Sequence, residues 1–504
     1  MAFESPTLWA KVLDQSRCIG CHACTTACKS ENEVPISVTR TYVKSVDVGS
    51  FPQARRAFAV TRCNHCENAP CVAACPTQAM YRRSDGIVDF DKSACIGCKA
   101  CIAACPYDAI FINPEDHSAE KCNLCAHRLD MGLEPACVTV CPAEAILVGD
   151  LNDPRSKVAQ IVNRQPVTVR KPEKETKPKL FYKGAHQATL DPLAAARPTG
   201  GIYAWAEQPR GAGQVGAGHP GQRNSSAAAL LSYDVSHVAP WDWRVSLYTW
   251  TKGIAAGAYL VAVLVALLLG DWSGPLVGWV APIVSGAFLA FTGILLIWDL
   301  KHPERFYMIF TRAHWRSWLV RGAFAIGAYS AILALHFIAT LSGLTSVQPW
   351  LAVLGVPLAV LTGIYTGYLF AQAKARDLWQ SPLLPPHLLV QALIAGSAAL
   401  LPFAVIFQPG AVSLLLAILG INAALHVLFV LSEMTMGHPT AHAHLAMHEM
   451  THGRYGRWFW AGGILVAVAV PAPWIGLFAV PAALLGLIAY EHAYVQAGQC
   501  VPLA

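Results

Sequence analysis

The chain has 504 residues, 54% hydrophobic and only 13% charged, with a formal net charge of +6. That length exceeds one compact domain, so two or more units are expected. The modest charge, with nothing resembling a nucleic-acid-binding face, implies no polyanion partner, and the averages hide a change from a cysteine-rich, polar stretch over 1–150 to a mostly apolar one over 247–496.

Met1 to Lys11 shows neither a basic region followed by an apolar core nor twin arginines. No secretory signal peptide is therefore expected, which keeps the cysteine segment in the cytoplasm unless a partner carries it across a membrane. Reduced cytosol suits thiolate ligands better than disulfides. Four cysteine groups follow: Cys18, Cys21, Cys24 and Cys28; Cys63, Cys66, Cys71 and Cys75; Cys95, Cys98, Cys101 and Cys105; Cys122, Cys125, Cys137 and Cys141. The third is the C-x2-C-x2-C-x3-C-P run of bacterial ferredoxins, and the others are variants of it. A 4Fe–4S cubane needs four thiolates around it. The tight turn supplies three, and the fourth cysteine ligates the other cluster of a pair. Gly20 and Gly97, each just before a ligand, let the backbone approach closely. Structural zinc also uses C-x2-C pairs, but needs neither the third cysteine nor the C-x3-C-P ending.

From about 151 to 246 the chain is rich in Pro, Gly and Ala, including Arg197–Gly201 and Arg210–Asn224. It reads either as an extended connector or as a tail that packs on a partner through Phe181, Tyr182, Tyr203 and Trp205. Apolar runs near 247–270, 275–298, 317–341, 350–373, 387–407, 411–432, 456–473 and 475–496 then predict about eight transmembrane helices, since roughly 20 residues cross the hydrocarbon core. Pro471 and Pro473 cut the seventh run short. One set of connecting loops carries Lys301, Arg305, Arg312, Arg316, Lys374, Arg376, Arg454 and Arg457, while the opposite set has no Lys or Arg. The basic side is expected to be cytoplasmic.

Ionisable groups within spans are costly and usually functional. They are Lys252 in the first span, Arg321 in the third, His426 and Glu433 in the sixth, and Glu491 and His492 in the eighth. Asn422 shares one helical face with His426 and Glu433, and the fourth span adds Tyr365 and Tyr368. His444, His448 and His452 repeat every fourth residue as a metal face would, although a solvated helix is the simpler reading. No C-x-x-C-H occurs, and His336 and His426 lie in different spans, so haem is not expected. Cys500 has no assigned role.

Two family resemblances attach to these motifs. Cys18–Lys29 (CIGCHACTTACK) and the three later groups, within residues 8–160, resemble the four-cluster iron–sulfur subunit of dimethyl sulfoxide and polysulfide reductases. That resemblance implies four 4Fe–4S clusters with ligands Cys18, Cys21, Cys24 and Cys141; Cys122, Cys125, Cys137 and Cys28; Cys63, Cys66, Cys71 and Cys105; and Cys95, Cys98, Cys101 and Cys75. Asp299-Leu300 through Pro303-Glu304-Arg305-Phe306, Tyr365-Thr366-Gly367, Leu384-Pro385-Pro386 and Ala497-Gly498-Gln499 resemble the NrfD-like membrane subunit over residues 240–504. It implies a quinone (menaquinone or ubiquinone) and no haem. Lys252, Tyr365, His426 and Glu433 would supply hydrogen bonds or protons, and Asp299, His302 and Arg305 would line the approach or form ion pairs.

Together these imply a fusion within the complex iron–sulfur molybdoenzyme family. The expected fold is an α+β double ferredoxin-like domain over 1–150, a connector over 151–246 and an all-α membrane bundle over 247–504. The expected role is electron transfer between a separate cytoplasmic molybdopterin (molybdenum or tungsten) chain and quinone in the bacterial inner membrane. Sulfite or an acyl-CoA such as phenylacetyl-CoA is the expected substrate of that chain, with quinone reduced. The alternatives are a conduit from quinol to a soluble carrier without a molybdopterin partner, and a proton-translocating respiratory module.

Overall fold

Eleven short strands build the N-terminal half of a computed structural model, which describes residues 6–49, 52–196 and 229–504. The expected loops at Arg197–Gly201 and Arg210–Asn224, with Tyr203 and Trp205, lie outside the described residues. Two units result and are taken in turn: Met1–Pro240 with Ala373–Ala375 and Cys500–Ala504, and Trp241–Gln372 with Arg376–Gln499.

The strands are β1 (Trp9–Asp14), β2 (Thr41–Val48), β3 (Arg55–Arg62), β4 (Met80–Arg82), β5 (Val88–Phe90), β6 (Ile110–Ile112), β7 (Ala119–Lys121), β8 (Ile146–Asp150), β9 (Val167–Thr168), β10 (Leu180–Lys183) and β11 (Ala229–Tyr233). One sheet runs β8-β1-β10-β9, a second β11-β2-β3, and β4-β5 and β6-β7 are hairpins. Short helices at Ala23–Glu31, Pro70–Ala74, Ala100–Ala104 and Ala136–Thr139 each carry cysteines of one group. A hairpin follows the second and third of these helices, which is the repeated pattern of an α+β ferredoxin-like domain.

The expected connector is structured where described. β10 pairs in parallel with β1, placing Lys11 opposite Leu180 and Asp14 opposite Lys183, and β11 pairs antiparallel with β2. Leu180 and Tyr182 alternate inward and are buried. The first unit therefore runs on to Pro240 rather than ending near 150. Residues 500–504 complete it: Lys44 Nζ donates to the Ala504 carbonyl at 3.1 Å, and Arg170 Nη2 and Lys171 Nζ each donate to the Leu503 carbonyl at 3.0 Å.

Near the end of this unit, buried His237 sits between two carboxylates, Asp108 at 2.6 Å from Nδ1 and Asp234 at 3.2 Å from Nε2. Burial alone lowers a histidine pKa, but the two carboxylates outweigh it and raise this one to about 9. The stabilisation is therefore complete below about pH 6.5 and is lost as pH rises through about 9. His237→Gln is expected to remove on the order of 3 kcal/mol at low pH and little above pH 9. Thermal unfolding of the wild type and variant across that window checks it, and equal loss at both ends would refute it.

The second unit is all helix. Among the described residues, seven helices are long and apolar enough to cross a membrane: Trp243–Leu269, Leu276–Asp299, Trp318–Leu341, Thr345–Ala371, Leu384–Phe407, Pro409–Thr435 and Ala472–Gln499. They are called the first to seventh spans below. The remaining apolar run forms the 13-residue helix Gly456–Val468. It stops short because Pro471 and Pro473 lack the N–H that an ongoing helix needs. The seventh and eighth expected runs thus resolve into one short helix and one long span. The first span packs closely on the fifth: a methyl group at Gly257 would strike the Ala392 carbonyl, and one at Gly396 would strike the Gly257 backbone. Small residues at this crossing let the backbones meet.

Candidate functional site

In the first unit, cysteines from different groups converge. Cys18, Cys21, Cys24 and Cys141 line one cavity, and Cys95, Cys98, Cys101 and Cys75 line another. The Cys28 sulfur lies in the field of Cys122, Cys137 and Cys125, and Asn32 Nδ2 reaches both Cys28 and Cys125 sulfurs at 3.7 Å. Cys71 lies in the field of Cys105, Cys63 and Cys66. Each of the four expected sets is thus brought together, three sulfurs from one group and one from its partner group. Four thiols per set are the donors that a cubane needs, and backbone N–H groups of Met80, Ala119 and Ala145 point at Cys75, Cys95 and Cys141 at 3.4, 3.3 and 3.3 Å. Gly20 and Gly97 have φ of +70° and +69°, which an L side chain would strain.

The four sets form a row. Cys24 neighbours Cys137, Cys63 neighbours Cys122, and Cys101 neighbours Cys71 electrostatically, linking first set to second, second to third and third to fourth. Of these sixteen cysteines only Cys21 is exposed and only Cys18, Cys141 and Cys98 are half-buried, so access to solvent falls at the two ends. Buried cations line the middle. Arg62 Nη1 donates to the Cys137 sulfur at 3.0 Å, and Lys11 Nζ approaches the Cys122 sulfur at 3.8 Å. Burial and neighbouring sulfurs push the Cys28 thiol up to about 12. At Cys122 burial also acts upward, but Lys11 and Arg62 outweigh it and bring the thiol down to about 7, favouring the thiolate that binds iron.

The second unit holds a cavity lined by Thr249 of the first span, Phe370 of the fourth, Leu384, His387, Leu388 and Gln391 of the fifth, and Tyr490, Glu491, Tyr494 and Val495 of the seventh. Glu491 accepts from Thr249 Oγ1 at 2.7 Å, and Gln391 Oε1 is buried without a partner. His387 Nε2 and His426 Nδ1 are 2.9 Å apart, and Tyr490 donates to Glu433 Oε2 at 3.1 Å. Lys252 follows Thr249 by one turn of the first span, and its ammonium lies in the field of Glu491. It donates to the Gly363 carbonyl at 2.8 Å and Thr366 Oγ1 at 2.6 Å, with its ammonium 4.9 Å from the Tyr365 ring centroid.

The expected residues therefore fall into three groups. Lys252 and Tyr365 pair with each other, and His426 and Glu433 stand one residue behind the cavity wall. Asp299, His302 and Arg305 are not in that wall: Arg244 lies 3.7 Å from Asp299, and Glu304 lies 3.0 Å from His302 and 3.7 Å from Arg305. His387, Gln391 and Tyr490 are additions. The signal for His387 is its place directly after Leu384-Pro385-Pro386, and for Tyr490 its adjacency to Glu491. Among the described residues, no three His, Cys, Asp or Glu side chains form a single-ion site, the histidines of helix Ala441–Thr451 included.

Cages of four cysteines in one unit and a bundle of apolar spans in the other define a multi-pass membrane iron–sulfur protein. The chain belongs to the polysulphide reductase NrfD family, whose profile matches residues 232–484. A 4Fe-4S dicluster domain matches residues 54–151 and a 4Fe-4S binding domain residues 9–30, so one chain fuses an iron–sulfur electron-transfer segment to an NrfD membrane segment. It is 45% identical over 190 residues to a subunit of tetrathionate reductase from Salmonella typhimurium, covering 37% of this chain and 76% of that protein. It is 45% identical over 176 residues to a component of polysulfide reductase from Wolinella succinogenes, covering 34% and 92%. It is 35% identical over 219 residues to the arsenate respiratory reductase iron–sulfur subunit ArrB of a Shewanella species, covering 34% and 94%.

Proposed function

We propose that the chain passes electrons through four 4Fe–4S clusters between a separate molybdopterin catalytic subunit and a quinone in the membrane. The observation that carries this is the row of four cysteine sets with solvent access at its ends, which suits one-electron entry at one end and exit at the other. The clusters would supply reversible one-electron steps; the chain's own part is to hold them in line and set the charge around them. An apolar cavity with a few convergent polar groups is the usual form of a small-molecule site, and His387, Gln391, Tyr490 and Glu491 suit the two oxygens of a quinone headgroup. The one-sided basic loops support a cytoplasmic iron–sulfur unit in the bacterial inner membrane.

The three relatives are named for reductases of tetrathionate, polysulfide and arsenate, which supports a catalytic partner of the same kind. Candidate substrates are therefore these acceptors when quinol is oxidised, and sulfite or an acyl-CoA such as phenylacetyl-CoA when quinone is reduced. Purification with native partners followed by metal analysis tests the core of this reading. About sixteen irons per chain are expected, with one molybdenum or tungsten per complex. Zinc in place of iron, or a complex with neither molybdenum nor tungsten, would overturn it.

A further inference from the structure

The cavity in the membrane bundle has a polar way out that its own wall does not explain. Tyr490 stands in that wall, and its hydroxyl donates to Glu433 Oε2 at 3.1 Å. Glu433 lies in the last turn of the sixth span, which ends at Thr435. Its carboxyl is buried, and Oε1 has no partner. Just beyond the span, His438 lies within hydrogen-bonding reach of the Glu433 carbonyl, and its Nε2 also has no partner. Beyond it comes helix Ala441–Thr451, with exposed His444 and His448. A buried carboxyl with one unsatisfied oxygen is expensive in an apolar bundle. A group that takes up and gives off protons explains its retention.

Resting on the quinone reading above, we propose that Tyr490 and Glu433 carry protons between the cavity and the end of the sixth span. Oxidation of a quinol releases two electrons and two protons. The electrons are accepted singly by two oxidised iron–sulfur centres. Each proton goes to the Tyr490 oxygen as that hydroxyl passes its own proton to Glu433, which gives it up at the end of the sixth span before the second arrives. Tyr490 never carries a net charge, and quinone reduction runs the same steps backwards. His387, in the cavity wall and 2.9 Å from His426, positions the headgroup.

The test uses the full chain with its clusters in lipid nanodiscs, mixed with a reduced naphthoquinol, while the visible iron–sulfur absorbance is followed. Glu433→Gln and Tyr490→Phe are expected to slow bleaching roughly a hundredfold, the scale of a lost proton-transfer group, and Glu433→Asp to restore part of it. Bound iron should stay at the wild-type value in both variants, and naphthoquinone affinity should stay there in Glu433→Gln, whose side chain is outside the cavity lining. A redox-difference infrared spectrum should show a carboxyl band that Glu433→Gln abolishes. Wild-type rates in Glu433→Gln, or an unchanged carboxyl band, would overturn the relay while leaving the quinone site standing. Failure of naphthoquinol to bleach the wild type would overturn both.

Discussion

Cys105→Ala is expected to abolish the same iron–sulfur cluster as Cys63→Ala, although Cys105 belongs in sequence to the third cysteine group. Its sulfur lies with Cys63 and Cys71, whereas Cys75 lines the cavity of Cys95, Cys98 and Cys101. Each single change should remove about a quarter of the bound iron and break the row. On the proposed function, electron passage along the row should then stop. Paramagnetic resonance of the reduced protein distinguishes the clusters. If Cys105→Ala instead lost the signal lost in Cys95→Ala, ligation would be within groups and the crossed arrangement would be wrong.

The second large effect concerns charge. Arg62 is 1% exposed and donates to Cys137, with Nε and Nη2 having no protein partner. A reduced cluster carries one more negative charge than an oxidised one, so a buried cation favours reduction. Arg62→Met should lower the potential of the cluster beside Cys137 by on the order of 100 mV, from a unit charge some 6 Å away in a medium of intermediate dielectric. Arg56→Met is the control. That side chain is 55% exposed and bonded to Asp47, and solvent screens it. Redox titration of both variants decides the matter: equal shifts, or a rise for Arg62→Met, would show that the guanidinium does not set the potential.

How much of this is legible in the sequence follows from which interactions are local. The cysteine turns are, because three ligands of each set sit within a few residues and a metal-binding loop tolerates little variation. The apolar spans are also local, and so is the weakness of the run containing Pro471 and Pro473. The strands hidden in the Pro- and Gly-rich stretch are not. β10 is only four residues long and is defined by a partner, β1, some 170 positions earlier in the chain. Composition across a long window dilutes such a segment. In the bundle, ionisable side chains within the expected spans mark out Lys252, His426 and Glu433; Gln391 is not ionisable and His387 stands at the very start of its run, so their importance appears only when the first, fifth and seventh spans converge. Lys252 itself is tied to a backbone carbonyl, a threonine and the Tyr365 ring, contacts no periodicity could indicate.

The closing strap of residues 500–504 has a consequence for biogenesis. The iron–sulfur unit leaves the ribosome before the spans, yet Lys44 and Arg170 bind carbonyls supplied by residues that follow the last span. Those two buried cations have a poorer environment until the strap arrives. Full packing of the iron–sulfur unit therefore draws on residues from both sides of the spans. A product truncated within the spans would present an unsealed ferredoxin unit to the cell's proteases.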